Sequence, residues 1–279
     1  MIELKKLSNG FEYLEIQNDF ATAKIALQGA HIFEYKRSGE DDLLWLSEVS
    51  DFERGKAIRG GVPICWPAFG LNNPELPQHG FARTSLFELV SSSEIDTETT
   101  EVKLRLTHSE DTLKLWNYKF ELVFKVTISD KLTMELTTIN RDEKGFKLTQ
   151  ALHSYFKLSE ISNAVVKGLD KKPCFDALTD ENSIQNGDIT FNQEFDRVFQ
   201  KVENELILKD RDKTIKIDNK GSSSVVVWNP WIDKCKRMSA MKDEAYREFV
   251  CIESANAFED FVIVKPQKKH TLKAIIEFF

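Results

Sequence analysis

Apolar and polar side chains alternate along much of this sequence. In 120–128, Phe120, Leu122, Phe124, Val126 and Ile128 alternate with Glu121, Val123, Lys125 and Thr127. In 132–138, Leu132, Met134 and Leu136 alternate with Thr133, Glu135 and Thr137, and similar runs occur at 21–27, 102–106, 213–218 and 271–278. Successive side chains of a strand point to opposite faces, so each run predicts a strand with one face in a core. Turn-like pieces punctuate them at Ser91–Ser93, Ser129-Asp130, Asn186-Gly187-Asp188 and Pro266-Gln267. The polar stretch 91–101 is short enough for a hairpin tip. The best helical spacing lies in 238–249, through Met238, Met241, Ala245 and Phe249. That stretch fits a short helix or a single turn in a loop. Without βαβ alternation, the pattern predicts an all-β chain: one large antiparallel β-sandwich with few short helices, a single domain over 1–279.

Composition supports a large core. For a chain of 279 residues, surface scaling gives about 12,000 Å² folded against about 47,000 Å² unfolded. Twenty Phe, five Trp and five Tyr exclude a chain that stays solvated. With 45 acids against 38 bases the net charge is −7, which argues against a nucleic-acid or anionic-membrane partner. No apolar run reaches the roughly 18–20 residues of a membrane span, and the opening MIELKKLSNGFEYLEI has no signal-type apolar core. Cys65, Cys174, Cys235 and Cys251 are scattered with no C-x-x-C pair, so reduced thiols and a cytoplasmic location are expected. The oligomeric state is left open, with a monomer sufficient.

Four segments resist the plain strand pattern. In 54–70, RGKAIRGGVPICWPAFG, Arg59 precedes paired glycines, and Pro63 and Pro67 bracket Cys65-Trp66. Such glycines permit close backbone approach, and the prolines bar a central strand. In 77–84, PQHGFART, Gln78 and His79 sit on a glycine turn before Arg83. From Arg54 to Arg83 there are four bases (Arg54, Lys56, Arg59, Arg83) and one acid (Glu75). That basic window in an acidic chain suggests an anion site, although a solvated face would look the same. In 149–156, TQALHSYF, His153 stands among apolar and aromatic residues, where a neutral core histidine is the ordinary outcome. In 248–256, EFVCIESAN, strand register puts Glu253 on the face of Phe249 and Cys251, with Glu248 on the other. A carboxylate on an apolar face is costly unless paired or functional. Asp196-Arg197, Trp228 and Trp231 complete the set: a carboxylate can accept from sugar hydroxyls and an indole can pack on a sugar ring, while a turn ion pair and core tryptophans are the ordinary alternatives.

Together and in this order, IRGGVPICWPAFG, QHGFAR, LHSYF, FDRVF, VVVWNPW and CIESAN resemble the aldose 1-epimerase (mutarotase) family, most closely its hexose-6-phosphate branch. The resemblance runs from residue 58 to 256. It implies a large β-sandwich whose concave face binds the sugar, with His153 as catalytic acid and Glu253 as catalytic base. Arg59, Gln78, His79 and Asp196 correspond to sugar-binding positions, and Arg83 with Arg59 to the place where this branch meets phosphate. Phe199 stands where an aromatic hydroxyl is common.

The implied reaction interconverts α and β anomers of a hexose 6-phosphate, glucose 6-phosphate above all. A Glu of ordinary pKa about 4.3 and a His of about 6.5 can then be ionised and protonated respectively near neutral pH, and burial is expected to raise the Glu253 pKa and strengthen it as a base. Neither cofactor nor metal is implied, and the five histidines show no zinc-type spacing. The alternatives are a mutarotase of unphosphorylated aldoses such as galactose, a noncatalytic carbohydrate-binding sandwich and a β-sandwich interaction module.

Overall fold

The computed structural model describes residues 1–71, 73–203, 205–211 and 213–279. Within them two large sheets form the frame. A nine-stranded sheet runs, in spatial order, Ile189–Thr190, Val165–Lys167, Leu206–Asp210, Lys213–Lys220, Lys269–Phe278, Leu132–Asn140, Phe120–Ile128, Thr100–Thr107 and Glu88–Glu94. An eight-stranded sheet runs Glu181–Ile184, Pro173–Asp176, Phe195–Phe199, Ser224–Asn229, Phe249–Asn256, Gln150–Leu152 and Ile64–Cys65, with Tyr155–Lys157 also pairing on Phe249–Asn256. Neighbouring strands in both are antiparallel. A four-stranded sheet from Ile2–Lys6 to His31–Arg37 flanks the frame, and Phe146–Leu148 pairs with Val262–Val264.

The period-two runs are strands of the nine-stranded sheet, except 21–27, which is the strand Ala21–Ala26 of the four-stranded sheet. Phe120, Leu122, Phe124, Val126 and Ile128 are buried while the residues between them are half-exposed, and Leu132–Asn140 repeats the pattern. Each such fully buried side chain contributes about 1.5–3 kcal/mol relative to exposure. The two large sheets meet through this face: Ser254 of one donates to Asn219 of the other, and Asn256 Oδ1 lies 3.0 Å from His270 Nε2. The folded chain exposes 12913 Å², close to the roughly 12,000 Å² set by its length.

One local expectation changes, and one of two alternatives is settled. Ser91–Ser93 is not a turn but part of the edge strand Glu88–Glu94, exposed along most of its length. Its polarity reflects an unpaired sheet edge, which exposed polar side chains protect. The hairpin tip lies beyond it, between Glu94 and Thr100. Residues 238–249 hold only the single 3₁₀ turn Ala245–Glu248 before the strand Phe249–Asn256 begins. The helix lies just upstream, Trp231–Arg237, where the Asn229 side chain accepts the Trp231 N–H at 2.9 Å. A second short helix, Glu110–Leu115, is set by a reciprocal Ser109–Thr112 capping box. All four cysteines are unpaired and buried. No helix among the described residues is long and apolar enough to cross a membrane.

Candidate active site

The eight-stranded sheet assembles the site by register. Directly opposed residues of antiparallel strands share a face. One row across the sheet is Asp196, Trp228, Cys251 and Tyr155, and the next is Val198, Val226 and Glu253. His153 falls between the pairs Leu152–Ser254 and Tyr155–Cys251, opposite Glu253, with its backbone N–H donated to Pro63 O at 3.0 Å. Glu253 therefore shares the face of Phe249 and Cys251, as strand periodicity requires. Glu248 precedes the strand and accepts from the Trp45 indole at 3.0 Å.

Two glycine turns bring the basic residues to this face. Gly61 has φ +62 and Gly80 φ +69, the left-handed region glycine adopts without Cβ strain. A Cβ on Gly61 would collide with the Ile32 carbonyl, and one on Gly80 with the Trp66 carbonyl. The first turn delivers Arg59; the second delivers Gln78, His79 and Arg83.

These side chains line a cavity of about 220 Å³. Its walls include Arg59, Gln78, His79, Arg83, His153, Asp196 and Glu253, together with Phe69, Tyr155, Trp228, Lys234 and Met238. The seven residues that the family resemblance assigned to the site thus meet in one place. The basic window divides: Arg59 and Arg83 reach the cavity, while Arg54 pairs with Glu12 at 3.9 Å and Lys56 with Glu53 at 2.8 Å outside it. Of the two tryptophans, Trp228 lines the cavity and Trp231 packs on Tyr246. Phe199 is buried in the core, and Arg197 turns away to Asp176 at 2.7 Å.

At the centre His153 Nε2 lies 3.3 Å from Glu253 Oε1. Both residues are buried, and His153 Nδ1 and Glu253 Oε2 have no hydrogen-bond partner. His153 stacks on Tyr155 at 4.8 Å and 9° and meets Trp228 edge-on. Burial, reinforced by Asp196, holds the Glu253 carboxyl well above its ordinary range. Burial, with His79, Arg83 and Arg59 nearby, holds the His153 imidazole well below its own. Burial thus works against the charged pair that ordinary pKa values give and toward the neutral one. Both arrangements carry one proton, so they are tautomers of a single state.

His79 is half-buried, with φ +64, and its Nδ1 accepts the Gly70 N–H at 3.2 Å. Its Nε2 is thereby left to carry the hydrogen. Burial and the two arginines push its pKa down to about 3, so it is a neutral donor. Arg83 donates to the Gln78 carbonyl at 2.7 Å, and Arg59 Nε is buried without a partner. Burial raises the Asp196 pKa and Lys234 opposes the rise. Among the described residues no group of three or more His, Cys, Asp or Glu could hold a metal ion.

Sequence reasoning missed Tyr155 and Lys234. Tyr155 stands two residues past His153 on the same face, so strand periodicity could have found it. Lys234 enters from a helix that the sequence pattern did not reveal.

The sequence pattern of the aldose 1-epimerase family matches residues 12–277. A protein of Escherichia coli K12 named "Putative glucose-6-phosphate 1-epimerase" is 35% identical over 258 residues, covering 91% of this chain and 86% of that one. A protein of the same name from Cenchrus ciliaris is 33% identical, covering 95% and 84%. A crystal structure titled "a putative mutarotase" from Salmonella typhimurium superposes with a TM-score of 0.91 at 32% identity, over 99% of this chain and 93% of that one. The fold recurs in a galactose mutarotase related enzyme of Lactobacillus acidophilus, with a TM-score of 0.76 at 15% identity over 96% and 97%.

Proposed function

Since the chain belongs to the aldose 1-epimerase family and is an isomerase of that type, we propose that its substrate is a hexose 6-phosphate, with glucose 6-phosphate foremost, whose α and β anomers it interconverts. The observation that carries this reading is the pairing of two arginines, Arg59 and Arg83, with the buried His153–Glu253 couple in one small cavity. A sugar phosphate carries about −1.5 to −2 charges near pH 7, and the planar guanidinium binds phosphate bidentately.

Ring opening breaks the C1–O5 bond. Glu253 as carboxylate takes the proton of the C1 hydroxyl, and His153 as imidazolium gives a proton to O5. The product is the open aldehyde; rotation about C1–C2 and closure with the two roles reversed give the other anomer. The proton shared across the 3.3 Å contact supplies the active form by moving from Glu253 to His153. An arriving dianionic substrate favours the imidazolium. The raised pKa of Glu253 makes it a stronger base once ionised. His79 supplies a neutral N–H donor and Asp196 an acceptor for sugar hydroxyls.

The reading takes 1–279 as one domain, supported by a core cluster whose members run from Leu14 to Phe278. It sets the reaction in the cytoplasm, supported by four free thiols. The test is anomer exchange of glucose 6-phosphate by NMR, with free glucose and galactose alongside. Acceleration of the phosphate alone is expected. Exchange only of free sugars overturns the phosphate assignment, and binding without exchange points to a carbohydrate-binding module.

A further inference from the structure

Lys234 reaches the cavity from the helix Trp231–Arg237, and nothing in the acid–base chemistry above employs it. Its ammonium sits 2.9 Å from Glu194 and 3.4 Å from Asp196, and 5.8 Å from the centre of the Trp228 ring. Lysine has three N–H donors and no acceptor. Glu194 takes one at full strength and Asp196 a second loosely, which leaves the third for the cavity that Lys234 lines. A lysine serving only to tie the helix down would need Glu194 alone. Instead an acceptor and a cationic donor stand side by side at the cavity wall, the ammonium near the Trp228 ring. Adjacent sugar hydroxyls can engage such a pair at once, one donating to the carboxylate and the other accepting from the ammonium.

Resting on the function proposed above, we infer that Lys234 and Asp196 together read one vicinal diol of the sugar, making Lys234 a specificity-determining residue. The diol is the C2–C3 pair. With the 6-phosphate toward Arg59 and Arg83, and O1 and O5 at Glu253 and His153, the hydroxyls at C2, C3 and C4 remain; Asp196 lies in the row next to that of Glu253, so the pair adjoining C1 is the one assigned to it. Inversion or loss of a hydroxyl at either carbon leaves one member of the charged pair without its contact.

The experiment compares wild type, K234M and K234R on glucose 6-phosphate and on its 2-deoxy and 3-deoxy analogues, with kcat and KM separated. For the parent sugar K234M is expected to lower kcat/KM about 10- to 100-fold, mainly through KM, as for loss of a charged hydrogen bond. On the analogue that lacks the hydroxyl bound by Lys234 the same substitution should change little, and K234R should recover part of the loss. Equal losses on all three sugars, or an unchanged KM, would overturn the inference. Should K234M unfold, K234Q carries the same comparison. Wild-type protein that neither exchanges nor binds glucose 6-phosphate would instead remove the underlying function, and that result is read without any variant.

Discussion

His153 Nε2 and Glu253 Oε1 stand 3.3 Å apart in a buried setting, with Nδ1 and Oε2 unpartnered. Burial favours the neutral tautomer of this pair, while the proposed ring opening uses the charged one. In the proposed mechanism that rearrangement adds to the barrier, and a dianionic substrate offsets it by favouring the imidazolium.

Removing either partner tests the couple directly. H153Q and E253Q are each expected to reduce kcat for anomer exchange by about 10²- to 10⁴-fold, the range of a general acid or base. KM should move far less. Because E253Q replaces a carboxyl whose pKa burial raises with a neutral amide, it removes the cost of that shift near pH 7, and its urea midpoint should equal or exceed that of wild type. Near-normal turnover in either variant would strike that residue from the mechanism.

Arg83 should discriminate between substrates. R83A is expected to raise KM for glucose 6-phosphate about 10- to 100-fold, as for loss of a charge-assisted hydrogen bond. KM for free glucose should barely change. Equal effects on both sugars would place Arg83 outside the phosphate site.

His31 gives a pH signature distinct from catalysis. It is buried beneath the glycine pair, 2.8 Å from the Gly60 carbonyl, and burial pushes its pKa down to about 3. From pH 6.5 down toward 3 the unfolded state binds a proton at His31 that the native state excludes. Stability contributed by this residue is therefore present above about 6.5 and lost as pH falls, by up to about 1.4 kcal/mol per pH unit. In urea titrations from pH 7 to 4.5, the stability gap between wild type and H31Q should narrow with acidification. A constant gap would mean that His31 is not held neutral.

Gly80 supports His79 through backbone geometry alone. G80A combines φ +69 with a collision at the Trp66 carbonyl and should cost more than about 2 kcal/mol in urea melts. A shift below about 0.5 kcal/mol, typical of an unstrained surface position, would show that the turn adapts.

The strands were legible where one face is core and the other wet, as in Phe120–Ile128 and Leu132–Asn140. Phe249–Asn256 was harder, because every residue in it is buried and hydrophobicity no longer alternates. There Glu253 itself was the clue, a charge where none should be tolerated cheaply. Glu110–Leu115 escaped because six residues cannot display a helical stripe. The residues of the cavity were found through the resemblance of their segments, in order, to the aldose 1-epimerase family, but the downward shift of His153 was not. That follows from burial and from the nearby arginines, which lie far away in sequence. Lys234 was hidden for a similar reason, since its partners Glu194 and Asp196 are about forty residues upstream.

The strand Phe249–Asn256 is committed on both sides. Glu253 faces the cavity, while Ser254 and Asn256 are bonded to Asn219, Gln150 and His270 behind it. Asp260 adds a further brace through Asn256, Ser223 and Ser224. Sliding this strand by one residue would exchange its faces, turning the carboxylate into the interior and opening the polar seam at once. Divergence toward other sugars is thus channelled away from the floor of the cavity. It is the rim, in the turns bearing Arg59 and Gln78 and the short helix bearing Lys234, that can be rewritten while the His153–Glu253 pair stays fixed.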